Sequence, residues 1–311
     1  MPLWGFLLCF FIATLWAVSP IMIAHGQKIS GCTSNEINPV RSLSFFAVSL
    51  IIALAHTGGN LTAMESPFAF FCIIGNVILS YLVGDTLYFM AIRAMGISLA
   101  IPVANTTPML AAVTSWLLLG EEITYVIVIG IAIVIAGLLL LRFGAAKDDR
   151  EKDRDAERSL NAARLMKGFA LAAGAAVSWS LGAPLIKMGM VASGLDPIEL
   201  TFYRSAMLLF LSWGLRFVVI KRSPSSVMPL TNLPLKTWGH FLGAAVIGLT
   251  LGSILNAYCI AVMPVAIVTA ITSTSPFMSA MFGHFVLKDR LTKLQWTGVV
   301  MIISGSIVIS V

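Results

Sequence analysis

The stretch from Gly84 to Leu141 occurs a second time in this chain, from Gly252 to Ile309, at a constant offset of 168 positions and without a gap. The first copy begins GDTLYFMAIRAMGISLAIPVANTTP, and the second begins GSILNAYCIAVMPVAIVTAITSTSP. Both copies are almost wholly apolar, which indicates an internal repeat within a membrane protein. Such repeats are typical of secondary transporters, whose substrate sites lie at the interface of the two halves near the bilayer midplane.

The composition also indicates a membrane protein, because 58% of the residues are hydrophobic and only 11% are charged. About 20 apolar residues suffice to cross a hydrocarbon core roughly 30 Å thick. Ten such spans are predicted, and they leave too little chain for a separate soluble catalytic domain. The spans are about 3–24, 38–56, 67–91, 95–118, 123–142, 168–190, 197–219, 239–261, 263–286 and 294–311.

The basic residues predict the topology, because 18 of the 20 Lys and Arg residues flank the odd-numbered loops between these spans. The positive-inside rule then places the odd loops in the cytoplasm and both termini outside. The net charge of +6 is therefore a topology signal and does not indicate nucleic-acid binding. Residues 143–166 form a predicted charged cytoplasmic linker between a first repeat, 1–142, and a second, 167–311. Because each half has an odd number of spans, the second copy enters the membrane from the opposite side, and the repeat is inverted.

The second half also carries a recognisable pattern of residues. The positions are Pro264, Val265, Ala266, Ile267, Thr272 to Pro276, Gly283, Lys288 to Thr292, Gln295, Gly298 and Gly305, together with Asp196, Pro197 and Arg204. The pattern resembles the EamA-type repeat of the drug/metabolite transporter superfamily. The resemblance implies an all-α membrane protein of ten transmembrane helices, built as a 5+5 inverted repeat around a central cavity, that exports or exchanges small metabolites. Many members of that superfamily place both termini in the cytoplasm, whereas the charges here place them outside.

Two ionisable residues lie well inside predicted spans, Asp85 in the third and Arg204 in the seventh. A charge at the bilayer centre costs at least roughly 2.5–3.5 kcal/mol, so such residues are candidates for function. Asp85 is predicted to attract a cationic substrate group or to carry a coupling proton. Arg204 is predicted to bind a carboxylate or phosphate through its planar guanidinium. The alternative is structural pairing of Asp85, either with Arg204 or with Arg93.

The polar segments before Pro108 and Pro276 are candidates as well. Proline removes a backbone hydrogen bond and clashes with the preceding turn, so carbonyl groups are freed there. Two interpretations remain open: the neighbouring hydroxyl groups satisfy the freed backbone, or the polar side chains line the cavity and bind substrate. The side chains concerned are Asn105, Thr106, Ser273 and Thr274.

Four further residues complete the predicted substrate site. Tyr88 and Asn256 correspond in the two copies, one turn beyond Asp85 and its counterpart Ser253. Trp16 and Trp179 occupy the first and sixth spans; each either packs between helices or forms a cavity wall for an apolar or cationic substrate.

Glu199 has a simpler explanation. Asp196, Pro197 and Glu199 fit the N-cap, N1 and N3 positions of a helix, which is a capping-box pattern.

These patterns favour a secondary transporter of the cell membrane that exports or exchanges a small metabolite, such as an amino acid or organic amine, by alternating access. The predicted partners are the substrate, the lipid bilayer and a coupling proton, without nucleic acid, metal or cofactor. The sequence contains no Gly-x-x-x-x-Gly-Lys-Ser/Thr motif for ATP. The alternatives are a membrane sensor or scaffold without solute flux, or an intramembrane enzyme. The enzyme is disfavoured because Leu82 stands where an aspartyl protease motif around Asp85 would need glycine.

Overall fold

A computed structural model describes residues 3–95, 100, 103–104, 106–152, 162–223, 227–278 and 292–310 of the chain. Within these ranges the regular structure is helical, and no strand is present. The α-helices are α1 (Leu3–Ser30), α2 (Ser34–Thr57), α3 (Pro67–Val77), α4 (Asp85–Met95), α5 (Thr107–Leu119), α6 (Tyr125–Lys152), α7 (Ala162–Ser193), α8 (Pro197–Arg222), α9 (Leu235–Ala244), α10 (Gly252–Val262), α11 (Val265–Thr272) and α12 (Lys293–Ser310).

Six helical segments in the described part of the chain are long and apolar enough to cross a membrane. They are Leu3–Ser30, Asn35–Thr57, Pro67–Met95, Ala163–Ser193, Pro197–Arg222 and Leu235–Val262. Four apolar helices are shorter, namely Thr107–Leu119, Tyr125–Leu140, Val265–Met278 and Lys293–Val308. The chain is therefore an all-α, multi-pass membrane protein, as the composition predicts. The number of ten spans stays a prediction.

Two of the long segments contain a π-helical stretch at nearly the same place. Ile78–Gly84 joins α3 to α4, and Ala245–Leu251 joins α9 to α10. The repeat offset of 168 maps Ile78 onto position 246, one residue from the start of the second stretch. A π-helical turn widens the helix and interrupts its regular hydrogen bonding, and it often occurs at functional sites. The same helix irregularity therefore occurs twice, where each copy of the repeated sequence begins.

The described residues form two compact units. The first unit lies within Met1–Ala13, Val83–Pro184 and Met263–Val311, and the second within Thr14–Leu82 and Leu185–Val262. Each unit contains segments from both predicted halves of the chain. The predicted boundaries of the repeats, at 142 and 167, stay a prediction. Part of the predicted linker, 153–161, lies outside the described residues, as do Gly283 and the pattern positions from Lys288 to Leu291.

Helices α6 and α12, in the first unit, approach each other closely at paired glycines. A Cβ atom added to Gly137 would lie 2.8 Å from the carbonyl oxygen of Gly298, and one added to Gly305 would lie 2.9 Å from that of Gly130. Small residues allow helix backbones to approach this closely in membranes. Since the later glycine of each helix faces the earlier glycine of the other, the two helices run antiparallel. Gly130 and Gly298, like Gly137 and Gly305, are one repeat offset apart.

We expect Gly137→Ala to lower the melting temperature of the purified protein. The added methyl group meets backbone atoms, which cannot rotate away, and overpacking typically costs about 1–3 kcal/mol. The matched control is Gly214→Ala in α8, where an added Cβ meets nothing within 4 Å. That control should keep or raise the melting temperature, because alanine favours helix over glycine. Equal melting temperatures of the two variants, measured by circular dichroism, would contradict the close helix contact.

Candidate functional site

In the first unit, Asp85 lies beside two aromatic residues. It is the first residue of α4 and directly follows the π-helical stretch. The indole Nε1 of Trp179, on α7, donates a hydrogen bond of 3.3 Å to Asp85 Oδ1. The Trp179 ring packs edge-to-face against Tyr88, with 5.2 Å between centroids. All three side chains are half-buried. The structure thus brings together three of the residues that the sequence predicts for the substrate site.

This arrangement has the chemistry of a cation site. A carboxylate supplies negative charge, and the faces of Trp and Tyr attract a cation through the ring quadrupole. The indole hydrogen bond orients the carboxylate without neutralising it. Arg93, which lies in the last turn of α4, has an exposed side chain. The structural alternative, in which Asp85 pairs with Arg93, stays a prediction.

In the second unit, Arg204 lies at the centre of a buried polar network. Its Nε donates to Asn76 Oδ1 at 2.8 Å, and its Nη2 donates to the hydroxyl oxygen of Tyr81 at 2.6 Å. The Tyr81 hydroxyl also shares a hydrogen bond with Ser253 Oγ, 2.9 Å away, in which either oxygen can be the donor. Asn76 also donates to Ser80 Oγ at 3.2 Å. The network joins α3, the first π-helical stretch, α8 and α10.

The guanidinium of Arg204 is not fully satisfied by this network. The side chain is 3% exposed. Its Nη1 is buried and has no hydrogen-bond partner among the described residues. Within the described part of its unit, no carboxylate lies within salt-bridge distance of Arg204. Its hydrogen-bond partners there are neutral, and the guanidinium also lies over the Tyr81 ring, with its Cζ 5.1 Å from the ring centroid.

The hydroxyl groups near Pro108 and Pro276 bond to backbone carbonyls three residues earlier in the chain. Thr107 Oγ1 donates to the carbonyl of Ala104 at 2.6 Å, a carbonyl to which Pro108, four residues later, can offer no amide donor. Thr106 and Thr274 donate in equivalent ways, to Val103 O at 2.8 Å and to Ile271 O at 2.6 Å. For the threonines, these contacts support the interpretation in which hydroxyl groups satisfy backbone carbonyls near the prolines.

The other predicted residues are distributed as follows. Ser273 is half-buried, whereas Asn105 lies outside the described residues. Asn256 is buried in α10 of the second unit. Trp16 Nε1, in the same unit, donates to the carbonyl of Gly248 in the second π-helical stretch at 3.0 Å. That contact is consistent with packing between helices, and a substrate role for Trp16, Ser273, Asn105 and Asn256 stays a prediction.

A buried ion pair in the second unit was not predicted from the sequence. Glu36 and Arg216 are 1% and 6% exposed, and Arg216 Nη1 lies 3.6 Å from Glu36 Oε1. Glu36 also accepts from the backbone amides of Thr33 and Met228, at 2.6 and 3.0 Å. By position in the chain, Arg216 belongs with the loop-flanking charges. The signal that could have revealed the pair is the capping box of Thr33 and Glu36, which places an acidic residue at the start of α2.

The capping-box prediction for Glu199 is half right. Asp196 caps α8, since its Oδ1 accepts from the amides of Ile198 and Glu199 at 2.7 and 3.0 Å. The carboxylate of Glu199 instead reaches the loop after α2, where it accepts from Thr62 N at 2.7 Å and Thr62 Oγ1 at 3.1 Å. Glu199 is therefore a buried residue that fixes a loop.

An all-α, multi-pass membrane protein that holds charged side chains within its spans has the character of a transporter. The model of the EamA-like transporter family matches residues 3–143 and 166–311, so the chain belongs to that family and is a membrane transporter. An uncharacterized transporter from Archaeoglobus fulgidus is 24% identical over 292 residues, which cover 94% of this chain and 92% of the relative. A protein of known crystal structure shares the fold with a TM-score of 0.69 at 17% identity, over 98% of this chain and 94% of the other.

The hydrogen bonds from the hydroxyl groups of Thr106 and Thr107 to backbone carbonyls can be tested by substitution. We expect Thr107→Val to destabilise the protein by about 1–3 kcal/mol, because the Ala104 carbonyl then lacks both its amide and its hydroxyl donor. Thr106→Val is the matched control and should have a smaller effect, since the Val103 carbonyl still accepts from the amide of Thr106 at 3.1 Å. The measurement is thermal unfolding of both variants and of the wild-type protein. An equal loss of stability, or none in either variant, would contradict the assignment.

Proposed function

We propose that this protein is a secondary transporter that exports or exchanges a small metabolite with a cationic group, an amino acid or an organic amine, by alternating access. Asp85 is the residue that binds the cationic group or, in its absence, a proton. The observation that supports this most directly is the contact of the Asp85 carboxylate with Trp179 and, through its ring, with Tyr88.

The indole N–H of Trp179 does not need a charged acceptor such as the Asp85 carboxylate. Trp16, in the first span, satisfies its indole N–H with a neutral backbone carbonyl, that of Gly248. Trp179, in the sixth span, has the same group to satisfy and uses a carboxylate. Because a neutral acceptor suffices for an indole, the hydrogen bond to Trp179 does not by itself explain an ionisable group at position 85. An intramembrane carboxylate is unfavourable, and its retention favours a role in binding or proton transfer.

A single carboxylate also provides a means of coupling. It carries one negative charge, which either a proton or a cationic substrate neutralises. Occupation by one excludes the other, so a proton entering from one side replaces the substrate that leaves on that side. The net result is exchange of one cation for one proton, without ATP.

Three features support an inverted repeat as the basis of alternating access. The repeated sequence has a constant offset, the two π-helical stretches occupy equivalent places, and α6 and α12 pack antiparallel at equivalent glycines. We further propose ten spans in a cell membrane, with the charged linker in the cytoplasm and both termini outside, from the distribution of Lys and Arg.

We expect Asp85→Asn to abolish proton-coupled transport while the protein stays folded. Proteoliposomes containing a pH-sensitive dye would be exposed to a panel of amino acids and organic amines. The wild-type protein should release protons in response to at least one of them, and Asp85→Asn should not. The matched control is Glu122→Gln, which removes an exposed carboxylate in the loop after α5 and should leave the signal intact.

The melting temperature of the same preparations separates function from structure. If Asp85 had only a structural role in a buried pair, its loss would destabilise the protein by about 3–5 kcal/mol. A folded Asp85→Asn variant whose flux is unchanged and still depends on pH would rule out the carrier role.

A further inference from the structure

A cluster of four basic side chains lies in the second unit, where α1 ends and α9 begins. His25 of α1 and His240 of α9 are in contact, with 5.7 Å between the centroids of their rings. Lys28 follows His25 by three residues, and Lys236 precedes His240 by four. These spacings place each lysine on the same helix face as the histidine of its own helix. The four residues are named the basic cluster.

The end of α1 lies beside the start of α9 because the two segments run antiparallel. The indole of Trp16 donates to the carbonyl of Gly248, whereas a Cβ atom added to Gly26 would lie 2.5 Å from the ring of Phe241. Partners of later residues in α1 thus come earlier in the segment Leu235–Val262. The two lysines are therefore on the same side of the two histidines, toward the ends of the helices.

The basic cluster lies at the level of the lipid headgroups. Lys28 is in the last turn of α1, and Lys236 is the second residue of α9. Helix α1 has 28 residues. Its length is therefore about 42 Å, which exceeds a hydrocarbon core of roughly 30 Å. The last turn of α1 consequently extends into the interface between the membrane and water.

The surface around the cluster can accommodate an acyl chain as well as a headgroup. Three of the four cluster side chains are exposed, and that of His240 is half-buried. Val18 and Ile21 precede His25 on the same face of α1 and are 39% and 51% exposed. On α9, a Cβ atom added to the exposed Gly239 would meet nothing within 4 Å. The charged end of the surface thus continues into an open, apolar part.

No carboxylate compensates the two lysines in the part of the second unit that the structure describes. Helices α1 and α9 contain no Asp or Glu, and neither lysine forms an ion pair with a described residue. The second unit has four acidic residues. Glu36 is buried beside Arg216 near the start of α2. Glu65, Asp196 and Glu199 lie at the opposite end of α2, where Asp196 contacts the last turn of that helix and Glu199 the loop after it.

We propose that the basic cluster binds the headgroup of an anionic phospholipid, whose acyl chain lies along Val18 and Ile21. The ammonium groups attract the phosphate, and each imidazole has an N–H to donate even when it is neutral. A zwitterionic lipid would bring a cation for which the cluster has no carboxylate. A metal ion, which two adjacent histidines can bind, would be repelled by the two lysines. The inference is independent of the transported solute.

The binding arm of the test uses the delipidated full-length protein in dodecyl maltoside, a neutral detergent. Dioleoylphosphatidylglycerol should raise the melting temperature, and dioleoylphosphatidylcholine at the same concentration should not. The dissociation constant for phosphatidylglycerol should increase about fivefold for each lysine replaced, and about 25-fold in the double variant Lys28→Gln, Lys236→Gln. Both side chains are exposed, so the double variant should fold as the wild-type protein does.

Two further variants test the place and the chemistry of the site. Lys293→Gln is the matched control, since it removes an exposed lysine from the first turn of α12, in the first unit, and should leave the affinity unchanged. His240→Phe keeps a ring against His25 but removes its hydrogen-bond donor. It should weaken binding about tenfold, as expected for loss of a hydrogen bond to a charged group.

Inorganic phosphate distinguishes a lipid site from a general anion site. It has no acyl chain and should give no comparable rise in the melting temperature. Four results would overturn the proposal: no rise with phosphatidylglycerol, an equal rise with phosphatidylcholine or with inorganic phosphate, unchanged affinity in the double lysine variant, or an equal loss of affinity in Lys293→Gln. The comparison of the three probes needs no variant, so it tests the proposal even if a variant does not fold.

Discussion

The absence of water in the bilayer core is the constraint on which the rest of this structure depends. Every backbone polar group in the hydrocarbon needs a partner from within the protein. The irregular places in the spans show how the chain meets this need. Thr107 supplies a donor to the carbonyl that Pro108 frees, and Trp16 and Ser19 supply donors to carbonyls in and just before the second π-helical stretch, at 3.0 and 2.9 Å. Side chains at these positions therefore make the helix irregularities tolerable.

The same constraint separates structural charges from candidate functional ones. Near the start of α8, the carboxylate of Glu199 accepts two hydrogen bonds from Thr62. Near its end, Arg216 is paired with Glu36. Between them lies Arg204, whose charge has no carboxylate partner in the described part of its unit. The two complete sites fix loops at the helix ends, whereas Arg204 lies in a buried network of neutral side chains.

The sequence was sufficient for the family, the membrane character and the two charges within the spans. Hydropathy and the repeat offset are local properties of the chain, so they can be found without a structure. The partners of those charges could not be found in this way. Tyr81 lies four residues before Asp85, yet its hydroxyl contacts Arg204 and Ser253, because the π-helical stretch and the packing of α8 and α10 determine where it points. Glu199 fitted a local capping motif, but a distant loop uses its carboxylate.

The most direct measurement of whether the two copies are inverted compares two equivalent positions. Ala63 and Thr231 are both exposed and lie one repeat offset apart, just before the segments that begin at Pro67 and Leu235. Each would be replaced by cysteine in a variant without the four native cysteines, then labelled with a membrane-impermeant maleimide in intact cells and in inverted vesicles. An inverted repeat requires that the two cysteines react from opposite sides, and the distribution of Lys and Arg predicts the outside for Ala63→Cys and the cytoplasm for Thr231→Cys. Labelling of both positions from the same side would contradict it.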